Sequence, residues 1–177
     1  MRHVSYKRAT LGGVLIMANP TGRRTTPTEE TEVERIAKLL GGQQILRQRV
    51  TSPLDAHALI QQGFPTRALL HLFKGLVILR GATSLEKAVG ISTRTIQRRK
   101  DDLSKLLSRE QSGRTWKFAE ILAKATEVFG SQEEAEKWLE RPAMGLDQRR
   151  PIDLLATPAG VELVEDHLTR LEYGVYT

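Results

Sequence analysis

Residues 84–103 read SLEKAVGISTRTIQRRKDDL, and the fold turns on whether this stretch is one helix or two. Leu85, Ala88 and Val89 share a helical face. Gly90 follows, where a reversal through the left-handed region favours a residue without Cβ. Ile91 anchors the turn. Ser92 is placed to cap a second helix, in which Ile96 and Leu103 face inward. Ser84 is the expected cap of the first. Two helices joined by so tight a turn form a helix–turn–helix. The outer side of the second helix then carries Thr93, Arg94, Thr95, Gln97, Arg98, Arg99 and Lys100. Hydroxyls and helix N-termini bind phosphate. Gln and Arg donate paired hydrogen bonds to adenine and guanine edges. A basic run is most often a solvated face. Here the turn glycine, the capping serine and the apolar spacing agree. Ser92, Thr93, Arg94, Thr95, Gln97, Arg98, Arg99 and Lys100 are therefore the candidate DNA-binding residues.

Charge is distributed to match. Residues 84–109 hold seven basic and three acidic residues, while residues 131–177 hold five basic and ten acidic. A basic middle suits a polyanion, and an acidic end would be repelled by it. Residues 1–28 hold five basic residues and no acidic one, and read as a mobile arm, with Met17 as a second plausible start. Beyond the arm, helical spacing dominates. Thr28 is the expected cap of a helix with Val33, Ile36, Ala37 and Leu40 on one face, stopped at Gly41-Gly42. Ser52, Pro53 and Gly63 bracket a second helix, and Leu69, Leu72, Phe73 and Leu76 mark a third. Ser108 to Gly130 reads as one long helix behind a capping box with Gln111. Ser131 and Glu134 make another box, and Thr157-Pro158 starts a last helix with Val161, Val164, Leu168 and Leu171 in a stripe. No run shows strand alternation, so the fold class is all-α. The expected organisation is an arm and leading helix (1–38), a helix–turn–helix domain (39–112) and a small helical C-terminal domain (113–177).

The chain is 40% hydrophobic and 27% charged with no Cys, which suits a cytoplasmic globular protein and excludes disulfides and thiolate metal sites. Its longest strongly apolar run, 11–18, is too short to span a bilayer. His3, His57, His71 and His167 lack metal-ligand spacing, and Asp166 and His167 point about 100° apart on a helix, so they form no dyad. Glu162, Glu165 and Asp166 read as a solvated acidic face. No catalytic residue, metal or cofactor is expected. The end, LTRLEYGVYT (168–177), is unusually apolar for a terminus. Either Tyr173 and Tyr176 fold back as core plugs or a partner covers them.

Trp138-Leu139, a Pro, RRPIDLL (149–155), a Thr and Gly, then VEDHLTRLEYGVYT (164–177) resemble the C-terminal toxin-binding domain of the Xre/MbcA/ParS antitoxins. ISTRTIQRR (91–99), QQGFP (61–65) and VFG (128–130) are similar to other parts of that family, so the resemblance covers roughly 39–177. It is most similar to members paired with a RES-domain toxin. The resemblance implies a toxin that consumes NAD or transfers ADP-ribose from it. It implies an antitoxin that blocks the toxin's cleft with its C-terminal segment, forms a homodimer and represses its own operator DNA. Arg170, Glu172, Tyr173, Gly174, Val175, Tyr176 and Thr177 map onto that segment. A stand-alone regulator of the same fold is the alternative. The loop GLVILRGA (75–82) is longer and more apolar than the family leads one to expect.

Overall fold

The computed structural model describes residues 30–80, 83–99 and 102–174. The expected arm, with Met17, lies outside them. In chain order the helices are α1 (Glu32–Leu39), α2 (Gly42–Leu46), α3 (Pro53–Gln62), α4 (Thr66–Gly75), α5 (Thr83–Val89), α6 (Thr93–Arg98), α7 (Arg109–Phe129), α8 (Gln132–Glu140), α9 (Pro151–Leu154) and α10 (Pro158–Glu172), with a 3-10 turn at Met144–Leu146. Among the described residues there is no strand, only isolated antiparallel bridges at Pro65–Leu106 and Ala143–Arg149. The fold is all-α, a helix–turn–helix unit followed by a helical C-terminal unit.

Most helices start where a hydroxyl takes over an N–H that helical geometry leaves unpaired. Ser52, Ser108 and Thr157 cap α3, α7 and α10 as their sequence context predicts. Two starts and one capping box differ. Thr28 lies outside the described residues, and α1 begins instead behind Thr31, whose hydroxyl and backbone N–H exchange hydrogen bonds with Glu34. Ser131 caps α8, but the Glu134 carboxylate turns to Lys137 at 2.8 Å, so the expected box is half formed. Ser84 lies inside α5 rather than at its cap, and its hydroxyl donates to the Glu140 carboxylate at 2.7 Å.

The long helix α7 is the axis of the core. Phe118, Ala119, Ile121, Leu122 and Ala125 are fully buried along it, and α1, α3, α5, α8 and α10 all pack against it. An Arg35–Glu127 ion pair ties α1 to α7. The expected division after residue 112 therefore falls within a helix that both halves share. The first helix of the helix–turn–helix, α5, rests on α7 and on α9. None of the described helices is long and apolar enough to cross a membrane.

Candidate functional site

The turn between α5 and α6 is built from both sides. Gly90 has φ +71°, a left-handed conformation that side chains resist, and its N–H returns to the Glu86 carbonyl at 2.8 Å. Arg114 of α7 lies beneath it. A Cβ on Gly90 would meet the Arg114 guanidinium at 2.6 Å. That guanidinium donates to the carbonyls of Ala88 (3.1 Å) and Lys87, acceptors that the end of α5 leaves open. Ile91 is buried in the turn, and the Ser92 hydroxyl accepts from the Thr95 N–H at 3.2 Å.

Helix α6 presents Arg94, Gln97 and Arg98 to solvent, with Ser92 exposed ahead of them and Thr95 half-buried. Arg99 is half-buried at the C-cap, one of its terminal nitrogens 3.5 Å from the Thr66 hydroxyl. Lys100 lies outside the described residues, as does the side chain of Thr93. The helix is six residues long and stops well short of Leu103, which is half-buried instead of facing the core from a helix. The cause is α4. Its first N–H groups, on Thr66 and Arg67, have no partners within their own helix. The carbonyls of Lys105 (2.9 Å) and Leu103 (3.1 Å) accept from them, and Leu107 donates back to Phe64 at 3.0 Å. Residues 103–107 must run beside α4 to do this, so they leave the helical path.

The tail is anchored and then released. Val164 and Leu168 of α10 are fully buried. Lys117 pairs with Glu165 at 3.0 Å, and Lys124 donates to the Thr169 hydroxyl at 2.6 Å, both from α7. Burial disfavours the Lys117 ammonium, but the Glu120 and Glu165 carboxylates outweigh it and hold its pKa above the ordinary lysine value. Gly174 then turns at φ +67°. Arg170, Glu172 and Gly174 are exposed, and Tyr173 is 75% exposed, so it does not fold back as a core plug. Val175, Tyr176 and Thr177 lie outside the described residues. His167 stacks on Trp138 with ring centroids 6.1 Å apart. Burial, with the Arg170 cation second, lowers its pKa.

Glu136 escapes a reading by motif. It lies on α8 and is fully buried, and its carboxylate accepts the backbone N–H groups of Val77 (2.9 Å), Ile78 (2.6 Å) and Leu79 (3.0 Å). Gln132 adds a fourth donor at 2.7 Å. The long apolar loop after α4 is thus held by a charge from the C-terminal half. The signal in the sequence is positional: Glu136 falls one turn before Leu139, which is buried on the same side of α8.

Two family models match in this order. Residues 55–120 match the Antitoxin Xre-like helix-turn-helix domain, and residues 124–174 match the Antitoxin Xre/MbcA/ParS C-terminal toxin-binding domain. The chain is similar to the Antitoxin Xre of Yersinia enterocolitica, 28% identical over 154 residues that cover 85% of this chain and 97% of the relative. It is also similar to the Antitoxin Xre of Pseudomonas putida, 29% identical over 125 residues, 71% of this chain and 76% of that one. With its helix–turn–helix and its C-terminal half matched in succession, the chain belongs to the Xre/MbcA/ParS antitoxin family.

Proposed function

We propose that this antitoxin neutralises a RES-domain toxin that consumes NAD or transfers ADP-ribose from it. Its C-terminal segment, Arg170 and Glu172 to Thr177, enters the toxin's active site. The same protein binds its own operator in the cytoplasm as a homodimer, through Ser92, Thr93, Arg94, Thr95, Gln97, Arg98, Arg99 and Lys100, and represses transcription. It contributes no catalytic group of its own. The observation that carries the reading is Tyr173, a large aromatic held in solvent at the end of a helix whose preceding turns are locked into the core. A blocking segment needs rigid groups that lose little entropy on ordering, and tyrosine has that character. Dimerisation brings two weak half-site contacts together, about one DNA turn apart.

Deleting residues 172–177 tests it. Val164 and Leu168 keep their anchors, so the fold and operator affinity stay at wild-type levels while inhibition of the toxin is lost. The readout is NAD turnover by the toxin with wild-type or truncated antitoxin in excess. Full inhibition by the truncated protein would refute the assignment of the tail.

A further inference from the structure

Helix α6 has little of its own to hold it. It is six residues long, and Ile96 is the one buried side chain among its described residues. A helix docked through one side chain can rock about it. Paired hydrogen bonds to a base edge tolerate little rocking, because donor and acceptor must align in both distance and angle. The angle of α6 is therefore set outside α6, by the turn that precedes it.

That turn borrows its hydrogen bonds from α7. The N–H groups of Gly90 and Ile91 both return to the Glu86 carbonyl, at 2.8 and 3.2 Å, which leaves the carbonyls of Lys87 and Ala88 to another donor. Arg114 supplies it: Nε donates to Ala88 at 3.1 Å and a terminal nitrogen donates to Lys87. One planar group spanning two successive carbonyls fixes direction as well as distance, which a point charge on a flexible stem does not. The same guanidinium lies against the open face of Gly90, where a Cβ would be 2.6 Å from it. Glu110, one turn earlier on α7, approaches only to 3.9 Å and is 82% exposed, so it does not draw the fork away. Thr115, Trp116 and Phe118 beside Arg114 are buried. The turn is thus clamped to a fixed part of the core.

We propose that Arg114 is a positioning residue for operator recognition: its fork sets the angle at which α6 leaves the turn, and so whether Arg94 and Gln97 reach base edges, without itself touching DNA. This rests on the operator-binding reading above. Phosphate contacts depend on charge close to the DNA backbone and survive a shifted helix, whereas base contacts do not. Loss of the clamp therefore removes sequence preference and leaves non-specific binding.

The test measures wild type, Arg114→Met and Arg114→Lys by fluorescence anisotropy on two duplexes: the DNA upstream of the protein's own reading frame, and a scrambled duplex of the same composition. Met keeps a long apolar stem and removes the donors, and Lys restores the charge without the fork. Both variants should bind the upstream duplex about tenfold more weakly, the discrimination that one paired base contact carries. Affinity for the scrambled duplex and its salt slope should stay at wild-type values. Hydrogen exchange without DNA gives the second readout. Amides of residues 86–98 should exchange faster in both variants, and those of α8 and α10 at the wild-type rate. Wild-type preference for the upstream duplex in Arg114→Met, or unchanged exchange at 86–98, would overturn the proposal. So would full recovery by Arg114→Lys, which assigns the effect to charge. A flattened salt slope makes Arg114 a phosphate contact, and faster exchange throughout makes it a general structural residue; either result also overturns it. Failure of the operator reading is distinct: wild type itself then binds both duplexes equally, and the proposal falls with it.

Discussion

At the scale of residues, charge alone does not define a role. Arg114 is cationic and close to the helix–turn–helix, yet its guanidinium is engaged with the carbonyls at the end of α5. Arg98 is exposed, and Arg99 makes a long contact to Thr66. On the proposed DNA-binding face, Arg98→Ala with Arg99→Ala should weaken operator binding. The slope of log affinity against log salt should also flatten, by roughly one unit per lost phosphate contact. Fluorescence anisotropy at several salt concentrations measures both, and an unchanged slope would remove the pair from the interface. Glu136 makes the opposite case, a charge whose role is internal. Glu136→Gln places an amide NH₂ against N–H groups of Val77, Ile78 and Leu79 that need acceptors. Hydrogen bonds to charged groups contribute about 1.5–3 kcal/mol each, so a loss of about 2–3 kcal/mol is expected in urea unfolding.

At the scale of elements, close approach decides where helices sit. Gly160 lies in the first turn of α10, and a Cβ there would be 2.1 Å from the Leu154 carbonyl oxygen of α9. Backbone cannot move aside as a side-chain tip can. Gly160→Ala should therefore force α9 and α10 apart and destabilise the protein by about 2–3 kcal/mol. Thermal unfolding followed by circular dichroism checks this, and a melting temperature equal to wild type would show that the two helices shift freely. Because α9 also supports α5, the loss should reach operator binding once the protein is warmed.

At the scale of the whole molecule, the two functional halves share a core. Trp116 lies in the part of α7 matched by the helix–turn–helix family, and Trp138 lies in α8 of the C-terminal half. Helix α7, the Glu136 carboxylate and the Ser84–Glu140 hydrogen bond all cross between the halves. Unfolding should be one transition, with tryptophan fluorescence and far-UV circular dichroism superimposing across a urea titration. Separated midpoints would mean that the halves unfold independently. Much of this architecture was legible locally. Ser52, Ser108 and Thr157 could be read as caps because a cap and the N–H it accepts lie within three residues. Gly90 and Gly130 could be read as stops because a left-handed residue announces itself by its missing side chain. The exposed positions of Arg94, Gln97 and Arg98 on α6 were legible for the same reason of short range, whereas Thr95 and Arg99 are half-buried. What the sequence could not disclose depended on groups far apart along the chain. The end of α6 is set by N–H groups of α4, far earlier in the chain. Glu136 finds its backbone donors more than fifty residues away, and Ser84 gives up a capping position for Glu140 at a similar separation. Short-range periodicity determined the longer helices and the faces they bury; only the tertiary structure decided the short helices α2 and α9, where α6 ends and which charges are consumed inside the protein, because those outcomes depend on donors, acceptors and packing that folding alone brings together.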